Sequence, residues 1–333
     1  MTAPELLVES PQRNRGTYRE VELDLQVRKR ERVAEGVVVL TLADPAGADL
    51  PEWTPGAHID LMMTPTLIRQ YSLCGDTSNS AEWKVGVLLD PASRGGSQFV
   101  HDKLHEGATV RVRGPRNHFP MVQAARYKFI AGGIGITPIY TMIAAAAATN
   151  ADWQLLYGGR TRSSMAFLDV LEDHGDRVSV CPQDETGMLD LAAELSAPDE
   201  DTVVYCCGPE GLLSAVEQAC TSWPTGSLHI ERFAAKAFEP SVGGDSAFEV
   251  ECQRSGVSVT VPPDKTIYEA VEEAGVDVLG SCMEGVCGTC ECDVIEGEPD
   301  PRDSVLSEAE RESGATIMIC VSRSRSERLV LDL

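Results

Sequence analysis

A surplus of basic residues is missing from this chain. Its 333 residues carry 28 Lys and Arg against 52 Asp and Glu, a formal net charge of −24. Such a surface repels phosphate backbones and anionic headgroups, which argues against nucleic acid or a membrane as a partner. No long hydrophobic run is present either. The longest, near Ile139–Ala148, is too short to span a bilayer. The first residues, Met1 to Glu5, have no basic stretch or apolar core, so a secretory leader is not expected. Eleven cysteines without a leader then point to a reducing cytoplasm. No internal repeat is found, and no His follows residue 229.

What is present is a cysteine loop. Residues 281–292 read Ser-Cys-Met-Glu-Gly-Val-Cys-Gly-Thr-Cys-Glu-Cys. Cys282, Cys287 and Cys290 have the spacing Cys-x4-Cys-x2-Cys, and Cys320 follows after 29 intervening residues. That is the plant-type 2Fe-2S pattern, in which four thiolates hold two irons. Three ligands come from one tight loop whose N–H groups can face the cluster sulfurs, and the fourth closes the cage from a separate strand. Gly285 and Gly288 let the loop curl without Cβ clashes. Zinc would pair Cys-x2-Cys with a second such pair or with spaced His, and both are missing. A disulfide framework needs an oxidising compartment. Four buried free thiols at this spacing are uncommon. The cluster reading leads all three, and Cys292 is expected to be a strand residue beside it.

Charge is unevenly spread. Residues 247–333 hold 19 acidic and 7 basic residues, a net of −12, so about half of the imbalance sits on this end. A solvated acidic surface explains it, as does docking to a basic patch on a redox partner.

The chain divides by pattern. Residues 1–20 are a polar tail. Residues 21–122 show short strands, at Val37–Leu42, His58–Met62, Gln70–Cys74, Trp83–Leu89 and Thr109–Arg113, with one helix near Gly96–Leu104. They predict a small antiparallel β-barrel. Residues 123–235 alternate strands (Lys128–Ala131, Trp153–Tyr157, Val178–Cys181, Val203–Cys206, Leu228–Phe233) with helices (up to Ala148, Met165–Asp173, Leu189–Leu195, Glu210–Trp223). That alternation predicts a five-stranded parallel sheet covered by helices on both faces. Residues 236–246 read as a linker. Residues 247–333 carry a hairpin (Phe248–Cys252, Val257–Val261), a helix (Thr266–Ala274), the cysteine loop and late strands (Ile317–Cys320, Leu329–Leu331).

Several motifs bear on ligands. Arg69-Gln70-Tyr71-Ser72 and Arg94-Gly95-Gly96-Ser97 both lie in the barrel. Glycines ahead of a helix expose N–H groups that suit a phosphate, and an arginine adds a charge-assisted bond. Tyr71 offers a flat face to a planar ring, and Ser72 can reach a ring nitrogen. Gly132-Gly133-Ile134-Gly135-Ile136-Thr137-Pro138 follows the first parallel strand, where a pyrophosphate rests, although the full Gly-x-Gly-x-x-Gly fingerprint is absent. Cys207-Gly208-Pro209 ends a later strand. Arg160 and Arg162 suit ribose or phosphate, or simply solvent.

Taken in order, these motifs, with Gly-Pro-Arg-Asn-x-Phe, Glu-Arg-Phe and a C-terminal plant-type cluster, resemble the phthalate dioxygenase reductase and vanillate O-demethylase reductase family over residues 25–333. The resemblance implies a C-terminal β-grasp ferredoxin domain and FMN as flavin. It places the phosphate near Arg69 and Arg94 to Ser97, and the ring near Tyr71 and Ser72 with Phe233 at its other face. NADH would bind at Gly132 to Pro138 and at Cys207 to Pro209, and the electrons would go to a Rieske-type oxygenase. A monomer is expected. Met283 and Cys292 are departures that remove no ligand.

Electron counting fits this cofactor set. A hydride carries two electrons and a 2Fe-2S cluster takes one, so a flavin between them is needed. Ser72 is expected to tune the flavin and Cys207 to shape the nicotinamide pocket. Two alternatives remain at this level. The same electron chain could serve a cytochrome P450, or the protein could be a non-enzymatic zinc or cluster module, which colour would distinguish.

Overall fold

The computed structural model describes residues 21–235 and 245–333. The expected tail and residues 236–244 of the expected linker lie outside the described residues.

The first sheet contains β1 (Val21–Ala34), β2 (Val37–Ala43), β3 (His58–Thr64), β4 (Leu67–Ser72), β5 (Trp83–Leu88) and β6 (Thr109–Arg116), ordered β4-β3-β6-β1-β2-β5. A bridge between Leu73 and Val85, with Cys74 N–H donating to the Lys84 carbonyl at 2.9 Å, joins the two ends and closes the antiparallel barrel. Leu25, Leu40, Ile59, Leu61, Trp83 and Val112 fill it. Its longest strand, β1, is absent from the strands expected above, because Arg28 to Arg32 is almost wholly charged. The structure accommodates the charges at the rim: Arg28 donates to the Asp44 and Pro45 carbonyls and Arg30 to the His101 carbonyl. Helix α1 (Gly96–Lys103) follows β5.

The second sheet is fully parallel. It runs through β7 (Arg126–Gly132), α2 (Ile136–Ala148), β8 (Asp152–Gly159), α3 (Leu168–Leu171), β9 (Val178–Pro182), α4 (Gln183–Thr186), α5 (Leu191–Glu194), β10 (Thr202–Cys207), α6 (Glu210–Ala219) and β11 (Leu228–Glu231), with strand order β11-β10-β7-β8-β9. Side chains alternate across it. Phe129, Trp153 and Tyr205 enter one core, and Ile130, Val204 and Cys206 enter the other. The expected helix Met165–Asp173 shrinks to α3, because Phe167 just before it is left-handed (φ 64) and stacks on Tyr140 at 4.8 Å. The expected Leu189–Leu195 helix keeps only α5. The expected Glu210–Trp223 helix stops at Ala219, and the Trp223 indole N–H donates to the Leu195 carbonyl at 3.0 Å. The Leu228–Phe233 strand ends at Glu231, where the chain leaves the sheet.

The third unit contains β12 (Phe248–Cys252), β13 (Val257–Val261), α7 (Ile267–Glu273), β14 (Glu291–Glu296), β15 (Pro299–Asp300), α8 (Glu308–Ser313), β16 (Thr316–Met318), β17 (Arg323–Ser324) and β18 (Arg328–Leu331). The main sheet runs β13-β12-β18-β14-β16, with β12 and β18 parallel. A Thr266–Glu269 capping box starts α7, which buries Ile267 and Val271. Cys292 sits in β14 with its side chain in the core. Cys320 lies just past β16, in a turn rather than in the strand expected for it.

Candidate functional site

One cleft gathers residues from all three units. Its lining includes His58, Arg69, Gln70, Ser72 and Arg94 of the barrel, Glu231 at the end of β11 and Phe233 just past it, and Cys282 and Glu284 of the cysteine loop. Strand pairing aligns His58 with Ser72. Ser72 is buried, and its hydroxyl has no hydrogen-bond partner by distance. Phe233 is 44% exposed, an open aromatic face at the mouth.

The Arg-x-Tyr-Ser residues separate in role. Arg69 folds across α1, with its guanidinium donating to the Ile68 and Arg94 carbonyls at 2.7 and 3.1 Å. Gly96 makes room for it, since a Cβ there would lie 2.5 Å from Arg69 Cγ. The Gln70 amide donates to Asp60 at 2.7 Å and to the Ser281 hydroxyl at 2.6 Å. Tyr71 packs on the barrel core and is not among the cleft-lining side chains. Gly95 is left-handed (φ 90) at the start of α1. The Ser97 hydroxyl accepts from the Asp90 N–H at 3.1 Å and holds the turn. Arg94 pairs with Glu284.

Glu231 carries no assignment in the sequence reading, although it opens the Glu-Arg-Phe motif. Burial pushes its carboxyl up to about 8, against the opposing pull of Ser72 and Cys207. The Cys207 thiol points at its Oε2 across 3.9 Å. Burial, then the neighbouring Glu231 charge, raises Cys207 well above the usual thiol range. Cys207 therefore stays a neutral thiol, unsuited to nucleophilic work. Buried Ser72 and Cys207 flank the half-buried Glu231 carboxyl in one polar group.

The two nucleotide loops meet at the point where strand order reverses, between β7 and β10. Their backbones touch. A Cβ on Gly135 would lie 2.2 Å from the Cys207 carbonyl oxygen, and one on Gly208 would lie 3.0 Å from Gly132 Cα. Gly133 is left-handed (φ 55) with open space beside it, and the Tyr157 hydroxyl donates to its carbonyl at 3.2 Å. Thr137 and Pro138 are buried. The Thr137 methyl lies against Gly86 of β5, so this turn also docks the sheet onto the barrel. Pro209 precedes α6. Arg160 is exposed beyond β8, two strands from Cys207, and Arg162 pairs with Glu172.

The four cysteines of the spacing pattern come together. Cys282 interacts with both Cys287 and Cys320, and Cys320 interacts with Cys290. The Glu284 and Val286 N–H groups point at Cys282 Sγ, at 3.3 and 3.5 Å. Gly285 and Gly288 are both left-handed (φ 67 and 69). Among the described residues no three His, Cys, Asp or Glu side chains close on a single metal position. The thiols form a row instead, Cys287 to Cys282 to Cys320 to Cys290, and a two-iron cluster asks for two thiolates per iron. The residues present fit the cluster.

Beneath the cleft lies a buried charge hub. Asp60, fully buried, accepts from Arg113 at 2.9 and 3.1 Å and from Arg116. Burial alone would raise its carboxyl, but Arg116, Gln70 and Arg113 outweigh it and hold the carboxyl below its ordinary value. The Ser281 hydroxyl also donates to Asp60, at 2.9 Å, and Arg113 donates to the Gly280 carbonyl at 3.0 Å. Burial, then the Arg116 and His118 charges, keeps His58 neutral, with the Cys287 backbone against its ring.

Comparison with known proteins identifies this assembly. A 2Fe-2S iron–sulfur cluster binding domain profile matches residues 250–325, and an oxidoreductase NAD-binding domain profile matches residues 129–218. Phenoxybenzoate dioxygenase subunit beta of Ectopseudomonas oleovorans is 42% identical over 302 residues, covering 90% of this chain and 94% of that protein. Phthalate dioxygenase reductase, described as a modular structure for electron transfer from pyridine nucleotides to 2Fe-2S, superposes with a TM-score of 0.68 at 35% identity, over 94% of this chain and 98% of that one. An intact type IV self-sufficient cytochrome P450 monooxygenase superposes with a TM-score of 0.89 at 44% identity, over 94% of this chain. This chain spans only 41% of that longer one. No helix among the described residues is long and apolar enough to cross a membrane. With its NAD-binding sheet and cluster-bearing third unit, the chain is an oxidoreductase that uses FMN, a 2Fe-2S cluster and NADH, and it belongs to the phthalate dioxygenase reductase and vanillate O-demethylase reductase family of oxygenase reductase components.

Proposed function

We propose that this chain takes a hydride from NADH and delivers electrons one at a time to a Rieske-type terminal oxygenase, an aromatic-ring dioxygenase or a demethylase. The observation that carries the reading is the shared cleft, in which Ser72 and Arg69 of the barrel, Glu231 and Phe233 at the C-terminal end of β11, and the proposed cluster ligand Cys282 line one space. Bound FMN supplies the conversion from a two-electron donor to a one-electron acceptor. The buried Ser72 hydroxyl is the fit test, since it has the Glu231 carboxyl beside it but reaches no partner within hydrogen-bond distance, and a ligand group would complete it.

The chain's own residues position the reactants. Arg69, Arg94 and the amides of Gly95, Gly96 and Ser97 hold the flavin phosphate. Ser72 bonds the ring, Gln70 and Tyr71 set the wall behind it, and Phe233 covers the open face. Gly132, Gly133, Gly135, Thr137 and Pro138 cradle the pyrophosphate, and Arg160 meets the distal ribose. Cys207, Gly208 and Pro209 shape the nicotinamide pocket, with Glu231 kept neutral beside it. Cys282, Cys287, Cys290 and Cys320 ligate the irons. The division we adopt is barrel 21–122, nucleotide unit 123–235, linker 236–246 and cluster unit 247–333. The protein acts as a cytoplasmic monomer.

Anaerobic titration with NADH tests this. The flavin and cluster bands should both bleach, with one FMN and two irons per chain. Iron without flavin would overturn the reading of the barrel motifs. The P450 superposition favours a second reading, in which the terminal acceptor is a cytochrome P450. Reduced protein mixed with each purified acceptor separates the two by which one is reduced.

A further inference from the structure

The barrel grips the cysteine loop at three separate points. Before Cys282, the Ser281 hydroxyl donates to Asp60 at 2.9 Å and accepts from Gln70 at 2.6 Å, while the Gly280 carbonyl accepts from Arg113 at 3.0 Å. In the middle, Glu284 pairs with Arg94. After Cys287, the His118 ring covers Gly288 so closely that a Cβ there would lie 2.4 Å from Nε2. The first grip is the costly one. Asp60 and Arg113 are buried inside the barrel, where an ion pair holds its place only with its remaining hydrogen bonds satisfied, and the cysteine loop supplies two of those bonds.

We infer that the Asp60–Arg113–Arg116 hub is a clamp that docks the cluster-bearing unit permanently on the barrel, with Ser281 as the residue that positions the cluster against the flavin cleft. The cluster unit does not swing to its acceptor. The acceptor comes to a docked unit. For its kinetic meaning the inference rests on the flavin and cluster assignment above.

Ser281 reaches across the interface without being an iron ligand or a cleft-lining side chain, so its variants separate docking from chemistry. In Ser281→Ala holoprotein, NADH should reduce the flavin at the wild-type rate. Onward reduction of the cluster, followed by stopped-flow absorbance, should slow about tenfold or more, because small misplacements of reacting centres cost rate steeply. Ser281→Thr, which keeps the hydroxyl, should restore it. Small-angle scattering on the same samples should show an expanded Ser281→Ala and a compact wild type. Asp60→Asn should expand likewise, and if it fails to fold, the serine pair still decides. An unchanged cluster-reduction rate and an unchanged radius in Ser281→Ala would overturn the clamp. So would slow transfer in a protein that stays compact with an altered cluster spectrum, which would place Ser281 at the cluster instead. A wild type whose flavin NADH does not reduce would overturn the assigned electron path, and the scattering comparison would still judge the clamp.

Discussion

Glu231 stands between Ser72 and Cys207 with a carboxyl raised by burial to about 8. Its ordinary value is 4.5, so the neutral form persists across neutral pH. As pH rises through about 8 a negative charge appears in a pocket that an anionic nucleotide must enter. Flavin reduction by NADH should fall over that range, and Glu231→Gln should flatten the profile, as stopped-flow rates at a series of pH values will show. The sign for stability agrees. A raised carboxyl contributes its full stability below its unfolded value and loses it as pH rises through the folded one, so Glu231→Gln should gain most in Tm over wild type in alkali. Ser72→Ala should keep its FMN yet lose one hydrogen bond, about 0.5–1.5 kcal/mol, slowing reduction by roughly threefold to tenfold. An unchanged rate at full flavin content would remove Ser72 from the chemistry. Ser72, Cys207 and Phe233 could be singled out as candidates because each sits in a recurring short motif. Glu231 could not, since a lone acid at a strand's end looks like surface until packing sets it beside Ser72 and Cys207. Asp60 left a trace, a carboxylate amid the apolar His58–Met62 run, which gains meaning only when Arg113 and Arg116 arrive on β6.

At the scale of elements, close backbone approach governs. The β7–α2 turn and the end of β10 touch at Gly135, so Gly135→Ala should force the loops apart and cost about 1–3 kcal/mol. Thermal unfolding and the KM for NADH should shift together in that variant. If only the melting temperature moves, the turn is structural and the nucleotide lies elsewhere. The period of hydrophobic residues made the parallel strands easy to read, because the central pair β7 and β10 is buried on both faces. It could not reveal β1, half of which is charged and depends on carbonyl partners far along the chain. It also overextended α3, whose preceding residue takes a left-handed turn that no propensity foretells. Cluster spacing was the clearest signal of all, since covalent chemistry fixes it more tightly than packing fixes a helix end.

Across the whole molecule, charge and interfaces decide behaviour. Asp60→Ala would leave two guanidinium groups without their buried partner, a loss of about 3–5 kcal/mol, readable as an earlier denaturation midpoint. Delivery to the terminal acceptor should weaken as salt rises, because the cluster-bearing third of the chain carries a net of −12, whereas NADH-driven reduction of a small neutral acceptor should not. Three units were countable from the strand and helix pattern and the cysteine spacing. Their mutual contacts were not, because Ser281, Gly280 and Gly288 meet the barrel through residues more than 150 positions away.

The placement of β18 sets an order of construction. The final strand of the described chain is also the middle strand of the third sheet, lying between β12 and β14. Domains assemble from the N-terminus as synthesis proceeds, so the barrel and the nucleotide sheet can be complete while the third sheet still lacks its centre. Cys320 emerges only shortly before that strand. Every molecule therefore passes through an interval in which the barrel and the nucleotide sheet are whole and the cysteine loop has no fourth thiol. A chain that stalls ahead of Cys320 holds both earlier sheets and only three of the four thiols.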